Sequence, residues 1–156
     1  AGHLRWGGLL FLLAAAFDSL DGTLARSAGS VTKFGSCWDS TCDRLSEAVV
    51  LLGLLIFLQR FGALNLDLAW SLPLVYATMA GSLAVSYVKA RAEGLGLACK
   101  TGWMQRSERI LVLGLSMTLG VVDWVLIPMA ALLCVTVWQR LAFVAHQDTY
   151  ADSPSP

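Results

Sequence analysis

Four aspartates stand at fixed intervals in one apolar stretch: Asp18-Ser-Leu-Asp21-Gly22-Thr-Leu-Ala25-Arg26, then eight residues, then Gly35-x-x-x-Asp39-x-x-x-Asp43. A carboxylate at the centre of a bilayer costs roughly 2.5–3.5 kcal/mol on insertion scales, so a group of four requires a compensating partner. A divalent cation is the natural one. On a helix, Asp18 and Asp21 are i,i+3 neighbours and Asp39 and Asp43 are i,i+4 neighbours, so each pair projects from one face. Two such helices facing each other make an all-oxygen pocket suited to Mg²⁺ or Mn²⁺ holding a pyrophosphate. Gly22 and Ala25 share the face of Asp18 and Asp21 and remove side-chain bulk where a ligand would approach, and Gly35 does the same ahead of the second acidic stripe. Arg26, one turn further on, has the planar fork that suits a phosphate. Capping or ion pairing with Arg26 and Arg44 is the plainer use of these acids. It accounts poorly for Asp18, which follows a mostly apolar run from Gly7 to Phe17, and Asp21 to Arg26 is an i,i+5 spacing that does not share a face.

The elements that must carry these residues are set by composition. With 156 residues, 56% of them hydrophobic and only 14% charged, the chain is too apolar for an ordinary soluble domain and reads as an all-α integral membrane protein, a polytopic helical bundle. One domain is expected over residues 1–150, followed by a small, polar, disordered tail at 151–156. Five transmembrane helices are predicted at about 7–27, 36–59, 68–92, 107–122 and 126–146. Short returns around Arg60 to Asp67 and Asp123 to Pro128 imply antiparallel neighbours. The zero net charge conceals an asymmetry. Arg26, Lys33, Arg44, Lys89, Arg91, Lys100, Arg106, Arg109 and Arg140 fall at one face, and Arg5 and Arg60 at the other. The positive-inside rule makes the first face cytoplasmic, and with it the acids. No cleavable signal peptide is expected before the first span, and no nucleic-acid partner. Cys37, Cys42, Cys99 and Cys134 match no zinc spacing and are expected to pack as small residues, with His3 and His146 as bystanders.

A second polar stripe runs along the third helix: Thr78, Ser82, Ser86, Lys89 and Glu93 lie on one face, which should turn toward the bundle interior. Thr and Ser there serve close helix packing, whereas Lys89 ends the stripe at the level of the acids. Arg91 points to the opposite side and is either an anchor or a weaker member of the same cluster. Gln105-Arg106-Ser107-Glu108-Arg109 opens the fourth helix, where the helix dipole favours acids, so arginines there imply a local anion. Arg140 interrupts the apolar run of the last helix near the same level. Cations beside a metal-binding acid group suggest an anionic second substrate. A membrane cation-binding or transport protein is the reading from another class, but transporter acids belong near the midplane and often accompany inverted repeats, neither of which is seen.

The frame Asp18-x2-Asp21-Gly22-x2-Ala25-Arg26-x8-Gly35-x3-Asp39-x3-Asp43 resembles, at every fixed position, the signature of the CDP-alcohol phosphatidyltransferase family. Ser86-Tyr-Val-Lys-Ala-Arg-Ala-Glu93 and Gln105-Arg-Ser-Glu-Arg109 are more narrowly similar to its bacterial phosphatidylinositol phosphate synthases. The resemblance implies metal-dependent transfer of a phosphatidyl group from CDP-diacylglycerol (CDP-DAG) to inositol 1-phosphate, releasing CMP. A sister activity with glycerol 3-phosphate shares every aspartate. Position by position, the resemblance implies that Asp18, Asp21, Asp39 and Asp43 ligate Mg²⁺ or Mn²⁺, with Asp43 also the general base. It implies that Gly22, Arg26 and Thr32 contact CDP-DAG. Lys89, Arg109 and Arg140 would hold the acceptor phosphate, with Arg91 and Arg106 as weaker candidates. Members have six transmembrane helices after an amphipathic leader and form homodimers in the plasma membrane among its lipids. Here five of the six are expected, without the first helix and its leader.

Overall fold

The computed structural model describes the backbone of residues 2–27, 32–99 and 101–151, with side chains placed at 2–20, 32–99 and 101–147. Five α-helices lie among the described residues: α1 (Gly2–Ser27), α2 (Lys33–Phe61), α3 (Leu68–Gly94), α4 (Arg106–Leu119) and α5 (Val122–Ala151). Each of the five predicted segments is helical. Lys100 and the tail at 152–156 lie outside the described residues, as do the side chains of Asp21, Gly22, Ala25 and Arg26.

The helix ends follow from local chemistry. Thr32 caps α2, its Oγ1 accepting from the Gly35 amide at 2.9 Å, and a Cβ at position 35 would fall 2.9 Å from that oxygen. Gly35 is thus small because the cap packs on it. Asp67 caps α3 by accepting from the Ala69 amide at 3.1 Å. Gly120, left-handed at φ 78°, closes α4. The amides of Gly120 and Val121 return to Met117 and Ser116 in a Schellman pattern, and α5 starts at once. This corrects the expected return around Asp123 to Pro128, which lies inside α5. Asp123 sits in the first turn, where an acid complements the helix dipole, and Pro128 lies inside α5 beyond that turn, where it removes one backbone hydrogen bond of the helix. Asp123 is buried and its Oδ2 accepts from the amides of Leu64 and Asn65 at 2.7 and 2.8 Å. The 62–67 return and the α4–α5 turn are therefore tied together at one end of the bundle.

Successive helices run in alternating directions. α1 packs chiefly on α4, α3 on α5, and α2 on α3, whereas α1 and α2 scarcely touch. Small residues permit the closest approach: a Cβ at Gly8 would lie 2.7 Å from the Thr118 backbone nitrogen and 2.8 Å from the Gly114 carbonyl oxygen. Leu51, Leu54, Leu58, Val75, Val85, Leu113, Leu126 and Leu133 fill the interior. The predicted inward stripe of α3 is real at Thr78 and Ser82, both buried. Cys99 is buried, but Cys37, Cys42 and Cys134 are exposed, so packing explains only the first.

Among the described residues, two helices are long and apolar enough to cross a bilayer, Leu68–Gly94 and Val122–Gln147. The acids of α2 reduce its apolar character, and the 14 residues of α4 extend about 21 Å, short of a hydrocarbon core of about 30 Å. The outer surface is nonetheless apolar. All six tryptophans are exposed. Trp6, Trp70 and Trp124 stand near the starts of α1, α3 and α5; Trp38 and Trp103 stand toward the opposite end, with Trp138 midway along α5 at the level of Trp103, whose amide donates to Gln139. Such paired belts are the usual pattern at the two water interfaces of a membrane protein.

Candidate metal and phosphate site

The acids converge as their spacing foretells. α1 carries Asp18 and α2 carries Asp39 and Asp43, and one carboxylate oxygen from each lies within 4.8 Å of the other two. Two oxygens on opposite sides of an octahedral Mg²⁺, each at about 2.1 Å, are about 4.2 Å apart, so this all-oxygen set matches a hard divalent cation with little adjustment. Asp43 is buried while Asp18 and Asp39 are exposed. Asp21 follows Asp18 by one turn of α1. The acids meet across the open seam between α1 and α2, and α4 closes it from the side. Arg106, the first residue of α4, reaches Asp18 Oδ2 with its Nη2 at 3.0 Å and forms an ion pair with Asp43. The aspartates thus pair with an arginine distant in sequence, and Arg44 lines a cleft that it shares with Arg106.

Two clefts open beside the acids. The first, of about 460 Å³, has Asp18, Asp39 and Arg106 at one end and Leu12, Ala15, Ala16, Ile110 and Leu111 along its walls. Its polarity changes along its length as an amphiphile's does. The second, of about 140 Å³, is lined by Arg44, Lys89, Arg106, Arg109 and Arg140 together with Ser86, Gln105 and Ser107. Five cationic side chains line this one small cleft, none of them adjacent in sequence, and their charge suits an anion.

These cations differ in what already holds them. Arg109 is 2% exposed and makes a two-pronged pair with Glu47, Nε to Oε1 at 2.9 Å and Nη2 to Oε2 at 3.2 Å. Its Nη1 donates to the Met104 carbonyl at 3.2 Å. Arg140 donates from Nε to the Thr101 carbonyl at 2.9 Å and from Nη1 to that of Val85 at 2.5 Å. Gly102, at φ 123°, lets the 101–105 segment lie against Arg140, since a Cβ there would meet Arg140 Nε at 3.2 Å. Lys89 is half exposed and only loosely paired with Glu93 at 3.9 Å. Arg44 leaves Nη1 buried without a partner among the described residues. Arg91 is exposed and does not line the cleft. Thr32 is occupied as a helix cap.

Sequence reasoning missed two members, Arg44 and Glu47. Glu47 had a legible signal, because it extends the i,i+4 stripe of Gly35, Asp39 and Asp43 by one more turn.

A phosphatidylinositol phosphate synthase of Mycobacteroides abscessus is 40% identical over 154 residues, covering 90% of this chain and 65% of the relative. The chain therefore spans just under two thirds of that relative's length. Crystal structures of the phosphatidylinositol phosphate synthase of Mycobacterium tuberculosis, at 28% identity, superpose over 90% of this chain. The structure in complex with manganese and citrate gives a TM-score of 0.78 over 72% of its own chain. The structure with CDP-DAG bound gives 0.76 over 76%. A family model described as CDP-alcohol phosphatidyltransferase matches residues 1–138, and the chain belongs to the CDP-alcohol phosphatidyltransferase family.

Proposed function

We propose that the protein transfers a phosphatidyl group from CDP-DAG to inositol 1-phosphate with release of CMP. The observation that carries the proposal is the juxtaposition of a three-carboxylate cage with a separate cationic cleft, one arginine lining both. A relative and a structural neighbour that are phosphatidylinositol phosphate synthases support inositol 1-phosphate over glycerol 3-phosphate as acceptor.

Asp18, Asp39 and Asp43, with Asp21 beside them on α1, hold Mg²⁺ or Mn²⁺. Bound there, the cation neutralises the pyrophosphate and stabilises charge on the leaving phosphate. The first cleft takes the nucleotide lipid, its leucines beside the acyl region and Asp18 and Asp39 beside the head group, with Gly22, Arg26 and the Thr32 turn at the nucleotide. Lys89 and Arg140 bind the acceptor phosphate. Arg109 lines the same cleft, but its charge is already matched by Glu47, so its part is to fix the start of α4. Asp43 takes the proton from the acceptor hydroxyl as that oxygen attacks the β-phosphorus. No side chain forms a covalent intermediate.

The helices cross the membrane as a multi-pass bundle, with the acids, the cationic cleft and the second tryptophan belt facing the cytoplasm, in the plasma membrane and as a homodimer. Trp38 adjoins Asp39, which seats the acids at the membrane surface rather than the midplane and disfavours an ion path. A membrane assay with labelled CDP-DAG, offered inositol 1-phosphate, glycerol 3-phosphate, serine and free inositol in turn, tests the proposal. Product with inositol 1-phosphate alone is expected, and preference for another acceptor would overturn it.

A further inference from the structure

Arg106 stands on the boundary between the two clefts and lines both. Its Nη2 lies 3.0 Å from Asp18 Oδ2 and is also paired with Asp43. These are two of the three acids whose oxygens converge. A divalent cation needs those oxygens at about 2.0–2.2 Å. A guanidinium and a divalent cation cannot occupy them together, because both need the same space and their charges repel at short range. Cation binding at the acids therefore requires Arg106 to leave them.

The second cleft offers a destination. Arg109 there is committed to Glu47, but the Arg140 guanidinium is held by carbonyl oxygens that leave its charge unbalanced. Arg44 contributes a buried nitrogen without a partner among the described residues. Another arginine entering this cleft would meet like charges, so the move is favourable only when an anion sits among them. Arg106 is about one-third exposed and already borders the second cleft.

We infer that Arg106 is a counter-ion shared between the two sites, so that a divalent cation at the acids and a phosphate-bearing acceptor in the second cleft each tighten the binding of the other. The cation frees Arg106 to complete the anion site, and the anion holds Arg106 away from the acids. The inference rests on the proposed function in taking the anion to be the acceptor's phosphate. Linkage makes the effect reciprocal, and couplings of this kind are typically about 5- to 150-fold.

The experiment measures Mn²⁺ affinity of the purified protein by electron paramagnetic resonance of the free ion. It is done at fixed pH and ionic strength, with and without inositol 1-phosphate, for wild type and Arg106→Gln. In wild type the acceptor should lower the Kd for Mn²⁺ about tenfold, and Mn²⁺ should lower the Kd for inositol 1-phosphate by the same factor. Arg106→Gln should bind Mn²⁺ more tightly than wild type without the acceptor and lose the acceptor's effect. Wild-type Mn²⁺ binding that ignores the acceptor, or full coupling in Arg106→Gln, overturns the inference and leaves the proposed metal site standing. Absence of Mn²⁺ binding in wild type overturns both. If Arg106→Gln does not fold, Arg106→Ala is measured in its place, and full coupling there overturns the inference, because direct attraction between cation and phosphate would then suffice.

Discussion

Asp43 is the enclosed member of the acid group and the one paired with Arg106 beside the cationic cleft. Replacing it with Asn keeps the shape and removes the base. Transfer by Asp43→Asn should fall about 10²- to 10⁴-fold while CDP-DAG binding is largely retained, and turnover above roughly a tenth of wild type would count against the assignment. The cleft residues should separate into two kinds. Lys89→Gln removes a loosely held charge, so it should raise the KM for inositol 1-phosphate about ten- to hundredfold with thermal stability unchanged. Arg109→Gln leaves Glu47 charged and buried, so it should destabilise the fold by about 3–5 kcal/mol, seen as a lower midpoint of thermal unfolding in detergent. Equal stability of the two variants would contradict the buried pair. The acids themselves were legible because i,i+3 and i,i+4 spacings on apolar helices fix a shared face. The partners of Arg106 and Arg109 were not, since they lie 88 and 62 residues away in sequence and depend on how α4 docks.

The docking of α4 on α1 brings Arg106 to Asp18, and it depends on close backbone approach at Gly8. Gly8→Ala would press a methyl group against the backbone of Thr118 and Gly114, at a cost of about 1–3 kcal/mol. It should lower the unfolding midpoint and weaken Mn²⁺ binding together, as α1 shifts. Gly53 lies mid-helix with nothing near its missing Cβ, so Gly53→Ala should leave stability unchanged or raise it by up to about 1 kcal/mol. If both alanines behave alike, the α1–α4 approach is not what these glycines serve. Helix existence and order were readable from apolar runs and caps, but the turn between α4 and α5 was misplaced. Asp123 and Pro128 read as loop residues, whereas Gly120 makes the turn and both belong to the first part of α5.

On the scale of the whole molecule, the tryptophans divide into two belts that bracket the apolar surface, and the acids lie level with one of them. Single cysteines placed in a cysteine-free background give a direct test of the proposed topology. A membrane-impermeant thiol reagent applied to intact cells should label a cysteine at Asn65 and spare one at Thr101, with the reverse in inverted vesicles. Labelling of both from one side would refute the multi-pass arrangement. The seam where α1 and α2 scarcely meet has a kinetic consequence. Under the proposed function, a cleft with apolar walls and acids at one end receives its lipid by diffusion in the plane of the bilayer, while the acceptor arrives from water. The two substrates are then counted in different dimensions. Velocity should follow the mole fraction of CDP-DAG in the surface, falling as inert lipid or detergent dilutes it, even when its amount per volume of solution is held constant.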